Sequence, residues 1–228
     1  ESVMSKVWNN KIFKHIQTKA NEASTKLAEE RGSCPDAEEY GFKERFSNKT
    51  AIAPTASISI ICGGASPGVE PVAANSYTHK TLSGSYNVKN KYLQEVLKKY
   101  EKNDDETWST ITTNQGSVSH LDFLTNHEKD VFKTAFELDQ KWIVELAADR
   151  TPYISQAQSI NVFLPADIHK KELHQIHFQA WKKGLKSLYY CRSKSIQRAE
   201  NVNNNLSADL TKQVSKTNQD DEECLSCQ

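Results

Sequence analysis

Three stretches of the sequence carry residue types whose spacing suits chemistry. The first is a C-x-x-C pair, Cys224 and Cys227, within the last six residues (Glu223-Cys224-Leu225-Ser226-Cys227-Gln228). A zinc site needs two further ligands, and neither a second C-x-x-C nor a nearby histidine supplies them. A thioredoxin-type pair sits at a helix start inside a βαβ unit, whereas this pair follows an acidic run, Asp220 to Glu223. Those carboxylates raise the thiol pKa values and slow the pair, which leaves it suited to thiol–disulfide exchange at a distance on a mobile arm. The second stretch is Tyr189-Tyr190, preceded by Leu185 and Leu188. Neighbouring strand residues point to opposite faces. The two tyrosines therefore serve one site only if the strand ends or bends there; otherwise one is buried and one exposed.

The third stretch is Ala51 to Pro71. A short apolar run, Ala51 to Ala53, meets Pro54, and Thr55, Ala56, Ser57 and Ile58 lead on to Gly63-Gly64. Proline suits the first turn of a helix and glycine its end. On this reading a short helix follows a tight turn, and the free N–H groups of Thr55, Ala56, Ser57 and Ile58 form a site for a phosphate. An edge strand over Ile58 to Ile61 fits the β-branched residues as well. The G-x-x-x-x-G-K-[ST] pattern of a P-loop is absent. His169, His174 and His177 have no evident carboxylate partner, and no metal site is expected.

The elements that must hold these residues follow from periodicity. Residues 6–31 have helical apolar spacing (Val7, Ile12, Ile16, Ala20, Ala23, Leu27) and stop at Gly32. A loop leads to a strand at Ala51. Tyr86 to Val88 suggests a short strand, Asn90 to Tyr100 a helix, and Lys102 to Glu106 a charged loop. Residues 126–148 form one broad apolar helical stripe. Residues 156–165 alternate as a strand, Ile168 to Lys183 is a helix closed by Gly184, and Leu185 to Cys191 is a second strand. Strand, helix and strand with short links make a βαβ unit with parallel strands. The apolar pattern fades near Ile196, so residues 1–195 read as one α/β unit and 196–228 as a mobile tail.

Among 228 residues, Lys plus Arg and Asp plus Glu each number 29. A zero net charge gives no basic face for nucleic acid or a membrane surface. No apolar run approaches a membrane span or a signal peptide, so a soluble protein is expected. The hydrophobic fraction, 37%, is low for a self-contained domain and suits a chain that packs on another or carries a polar tail. Five irregularly spaced cysteines argue against a secreted disulfide framework and for the cytoplasm.

Pro54-Thr55-Ala56-Ser57, Gly68-Val69-Glu70-Pro71, the run Asn75 to Gly84 and Gly184-Leu185-Lys186-Ser187-Leu188-Tyr189-Tyr190 together resemble the large, catalytic subunit of class I ribonucleotide reductase, most closely the form of T-even-type bacteriophages. The resemblance spans about Ala51 to Tyr190 plus the tail cysteines. It implies the C-terminal half of a ten-stranded α/β barrel with a flexible tail, in the host cytoplasm if phage-encoded. It assigns Pro54, Thr55, Ala56, Ser57 and Ile58 to the diphosphate of a ribonucleoside diphosphate. Tyr189 and Tyr190 become a stacked relay for a proton-coupled electron. Cys224 and Cys227 become the dithiol that re-reduces the active site and is itself served by glutaredoxin or thioredoxin. The helix with Leu173, Ile176 and Trp181 becomes partner-facing or core.

The family's catalytic cysteine, in an Asn-x-Cys-x-Glu setting, and its ribose-reducing cysteine pair have no counterpart among Cys34, Cys62, Cys191, Cys224 and Cys227. The resemblance therefore implies a split subunit, inactive alone. A separate N-terminal half would complete the barrel, and a radical-generating small subunit would hold a diiron–tyrosyl radical, with no cofactor bound by this chain. Two other readings stand beside it: a non-catalytic module that regulates or assembles an intact reductase, and a stand-alone dithiol oxidoreductase.

Overall fold

A computed structural model describes residues 1–63, 66–81 and 84–193. The elements in chain order are α1 (Val3–Arg31), α2 (Pro35–Glu39), α3 (Ala56–Ile61), β1 (Ser76–Thr81), β2 (Gly84–Lys89), α4 (Lys91–Lys99), α5 (Asp105–Thr113), α6 (Asn126–Val131), α7 (Gln140–Arg150), a 3-10 turn (Thr151–Tyr153), β3 (Val162–Leu164), α8 (Lys170–Lys182) and β4 (Cys191–Ser193). Among the described residues, no helix is long and apolar enough to cross a membrane.

The βαβ unit forms as its sequence pattern requires. β3 and β4 pair in parallel, with Val162 opposite Cys191 and Leu164 opposite Ser193, and α8 makes the crossover. Val162, Phe163 and Leu164 are all buried, because a parallel strand is covered on both faces. On one side Val144, Val162, Leu164, Ile176 and Ala180 cluster; on the other Ala135, Ile143, Ala147, Ile160 and Phe163 do. Leu185 and Leu188 touch both clusters. That contact shortens the second strand relative to the expected Leu185–Cys191. Two leucines three residues apart both turn inward, so backbone alternation begins only at Tyr189, whose N–H donates to the Ile160 carbonyl (2.8 Å). The first strand is shorter than its pattern too. A turn in which Ile160 N–H donates to Gln158 O (3.1 Å) separates β3 from a single parallel bridge, Gln158 with Ile52.

A second core lies under α4 and α5, where Leu93, Leu97, Trp108, Ile111, Val118, Leu121, Leu124 and Phe132 pack together. The charged run expected as a loop instead starts a helix: Asp104 caps α5 by accepting from Thr107 N–H (2.7 Å). The stripe over 126–148 divides into α6 and α7, because Glu137 accepts from both the N–H and the hydroxyl of Thr134, and Ala135 N–H is held by Val72 O. Ser76 to Lys89 is a hairpin, with Tyr77 opposite Val88.

α1 runs along α7 through polar contacts. Asn9 Nδ2 donates to Leu146 O (2.9 Å), Gln17 Nε2 to Pro152 O (3.1 Å), and Lys6 pairs with Glu145 and Asp149 (both 3.4 Å). Its fully buried residues are Ser24 and Ala28, whereas Met4, Trp8, Ile12 and Ile16 stay exposed. Glu145 joins α1, α7 and α8, since it also pairs with Lys183 (2.8 Å) and accepts from Gln179 (3.0 Å). Chiefly through the Lys183 hydrogen bond, and then through Lys6, its carboxyl lies below its ordinary value of 4.5. A depressed carboxyl stabilises the fold above that value and loses the contribution as pH falls through the folded one. Glu145→Gln is expected to flatten the acid side of the stability–pH curve below about pH 5 in urea unfolding; an unchanged curve would mean that these ion pairs contribute nothing.

Candidate functional site

The stretch after Pro54 folds as a helix, α3, which excludes the edge-strand alternative. Its first helical bond joins Ser59 N–H to Thr55 O (2.7 Å). The N–H groups of Ala56, Ser57 and Ile58 precede that bond and have no acceptor within the helix. Thr55 differs from expectation. Its N–H and its hydroxyl both donate to Pro67 O, each at 2.9 Å, so its amide is not free for an anion. The cause is the turn at Ser66–Glu70, which folds back over the helix start; Ser66 Oγ closes it by donating to Glu70 O (2.8 Å).

Glu70 ties this turn to the sheet. It is buried, and its carboxylate accepts from Asn161 N–H, one residue before β3. Gly68 leaves room beside it, since a Cβ there would displace the Glu70 carboxylate. Asn161 Oδ1 is buried without a partner in the same place. Beneath lies Arg150, 4% exposed, whose Nε donates to Gln158 Oε1 (2.6 Å) and whose guanidinium stacks on Phe13 (5.6 Å). Burial pushes its pKa down to about 10, although Glu70 and Asp149 oppose the shift. Gln158 in turn donates to Ala147 O (2.9 Å) and Thr151 Oγ1 (2.8 Å). Every polar atom of the Gln158 amide is thus used to fix the strand that bridges Ile52.

Tyr189 and Tyr190 lie just before β4 with their rings in contact. Their ring centroids are 4.2 Å apart, tilted by 55°, and both rings are partly exposed, at 42% and 40%. Tyr190 O accepts from Val162 N–H (2.9 Å), while Arg192 lies over the Tyr190 ring at 5.3 Å. A cleft of about 450 Å³ has residues 51–54, 156–159 and 187–189 as its walls. It brings Pro54 and Tyr189 together, whereas Thr55, Ala56, Ser57 and Ile58 continue beyond its rim.

Other candidates fall elsewhere. His169 caps α8 by accepting from Lys171 N–H (3.1 Å), His174 stacks on Phe178, and His177 bonds the Leu173 carbonyl. Ile176 is core, and Trp181 is 73% exposed. Cys191 is exposed, directly after the tyrosines in sequence. Cys224 and Cys227 lie outside the described residues. Glu70, Arg150 and Gln158 escaped the sequence reading; a buried acid in a Gly-Val-Glu-Pro turn has no local signal beyond its neighbouring glycine. Glu70→Ala leaves the Asn161 N–H without its acceptor and is expected to cost about 1–3 kcal/mol in denaturant unfolding; a loss well under that would show that water replaces the carboxylate.

Residues 36–191 match the family model described as ribonucleotide reductase, barrel domain. The ribonucleoside-diphosphate reductase large subunit of Invertebrate iridescent virus 6 is 49% identical over 167 residues, covering 72% of this chain and 17% of that protein. That of Invertebrate iridescent virus 3 is 43% identical, covering 73% and 27%. The chain thus spans less than a third of the length of these relatives. The solved Actinobacillus ureae class Id ribonucleotide reductase alpha subunit superposes with a TM-score of 0.77 at 39% identity, over 85% of this chain and 35% of that one. The turn-capped α3, the parallel βαβ unit and the paired tyrosines thus sit in a chain that belongs to the ribonucleotide reductase large-subunit family, through its barrel domain.

Proposed function

We propose that the chain is the C-terminal component of a ribonucleoside-diphosphate reductase large subunit. In this reading the start of α3 takes the diphosphate of a ribonucleoside diphosphate: the amides of Ala56, Ser57 and Ile58 point to it, with Pro54 and Thr55 shaping the turn. No acidic residue lies between Pro54 and Ile61 to repel an anion. Tyr189 and Tyr190 carry the proton-coupled electron between a small subunit, expected to hold a diiron–tyrosyl radical, and a cysteine on the N-terminal portion of the large subunit. A phenol gives up an electron and a proton together, and two rings in contact shorten the hop. Cys224 and Cys227 return the active site to its dithiol state and exchange with glutaredoxin or thioredoxin. The N-terminal portion, as a separate polypeptide, completes the barrel, and the chain alone does not turn over.

The observation that carries this reading is the single cleft with Pro54 and Tyr189 among its walls and the second tyrosine ring 4.2 Å behind. The test mixes this chain with the N-terminal portion and the small subunit and follows reduction of a ribonucleoside diphosphate. Tyr189→Phe and Tyr190→Phe are each expected to abolish turnover while the complex still assembles; unchanged turnover removes the relay. Assembly without turnover of the native chain favours the interaction-module reading instead. Replacing Cys224 and Cys227 by serine is expected to stop repeated turnover with glutaredoxin or thioredoxin yet permit it with a small dithiol. Equal loss with both reductants would remove the tail's role as a shuttle.

A further inference from the structure

Lys186 stands three residues before Tyr189 and spends its ammonium on backbone. Its Nζ donates to three successive carbonyl oxygens, Ile154 (3.2 Å), Ser155 (2.7 Å) and Gln156 (3.2 Å). An ammonium has three N–H donors and no more, so this one is committed to a single loop. Three consecutive carbonyls converge on one point only where the chain is neither strand nor helix, and residues 154–156 are such a stretch, leaving the 3-10 turn before the Gln158 bridge. Ile154 is 4% exposed, so its carbonyl has little access to water and gains from a charged donor.

The same loop is gripped from its other side. Gln156 N–H donates to Thr50 O (3.0 Å), Ser155 N–H to Thr50 Oγ1 (3.0 Å), and Lys49 N–H to Ser155 Oγ (3.3 Å). Thr50 lies four residues before Pro54, and Lys186 three before Tyr189. The loop is therefore the common block against which both arms of the cleft are set. The arm from Thr50 is fixed to the loop by backbone and hydroxyl bonds; the arm to the tyrosines is fixed to the loop by the Lys186 side chain, and beyond it by the backbone bonds of Tyr189 to Ile160 and of Tyr190 to Val162. Between Gly184 and Tyr189, Leu185 and Leu188 supply apolar anchorage that resists sliding weakly, since dispersion contacts are non-directional. The three ammonium bonds add a directional restraint just ahead of the backbone bonds of Tyr189 and Tyr190.

We infer that Lys186 is a positioning residue for the tyrosine pair: its ammonium, pinned on the carbonyls of 154–156, sets where Tyr189 and Tyr190 stand relative to the Pro54 segment. The role assigned to the pair rests on the proposed reductase function, but the positioning itself does not. It acts on kcat and not on substrate affinity, because the Thr50 arm keeps its own bonds.

The test has two arms. In the full chain, 3-fluorotyrosine is placed at position 189 and its fluorine resonance is recorded, with Tyr190→Leu as the reference for a lost neighbouring ring. Lys186→Met is expected to move the resonance towards that reference or broaden it while the chain remains folded, with a lowered thermal midpoint from the lost carbonyl bonds. Lys186→Arg, which keeps a cation with several donors, is expected to restore the native position. In the reconstituted complex, Lys186→Met is expected to lower kcat at least ~10-fold, the scale of a catalytic group displaced by a fraction of an ångström, with KM unchanged and with recovery in Lys186→Arg. A native resonance in Lys186→Met overturns the inference, as does a rise in KM without a fall in kcat, or a loss equal in the methionine and arginine variants. If the native complex shows no reductase activity, the proposed function fails while the fluorine arm still decides the role of Lys186.

Discussion

Residues 154–164 are the backbone on which every part of the cleft is registered. At one end the stretch meets Thr50 and Ile52; at the other it meets Tyr189, Tyr190 and β4. Both neighbours run parallel to it, so neither arrives by a tight turn. Each is reached through a long excursion, α8 in one case and the whole of α3 to the 3-10 turn in the other. Contacts so distant in sequence hold only if the central stretch is itself immobile. Burial of Ile154, Gln158, Ile160 and Val162 to Leu164 provides that, together with the side-chain network under it, from Gln140 Oε1 on Phe163 N–H (2.8 Å) to Arg150 on Gln158. The polar atoms there are costly to bury, and nearly all are matched, which makes the register specific as well as stable.

The turn at Ser66–Glu70 works on the same stretch from the opposite direction. Pro67 O receives both donors of Thr55, and Glu70 receives Asn161 N–H. One short turn thus fixes the start of α3 at one end and the entry to β3 at the other. The start of α3 and the tyrosines are related through two short links, not through a large enclosed cavity. A site assembled in this way is open on its far side, in keeping with a chain that spans 35% of the solved reductase subunit it resembles.

What the sequence disclosed divides along physical lines. Pro54 and Gly63 announced α3 because their backbone limits act within a few residues, and the 168–184 pattern announced the crossover because 13 residues of α8 repeat a face. Strand lengths did not show. The alternation over 156–165 is real in side-chain type, yet the turn at Gln158–Ile160 serves a side-chain network that is non-local. Likewise the 126–148 stripe hides a break, because the apolar spacing runs on past the end of α6 at Val131 and only Thr134 and Glu137 reveal the join. The tilted contact between the Tyr189 and Tyr190 rings was undecidable from alternation alone, because it depends on where pairing with Ile160 begins.

The unburied ridge of Met4, Trp8, Ile12 and Ile16, with Ile58, Ile61 and Trp181 elsewhere, has a colloidal consequence. Apolar surface of this kind attracts its like in water, and a chain whose formal charge sums to zero has no long-range repulsion to keep copies apart. Copies with those side chains uncovered therefore attract one another, the more so as their concentration rises.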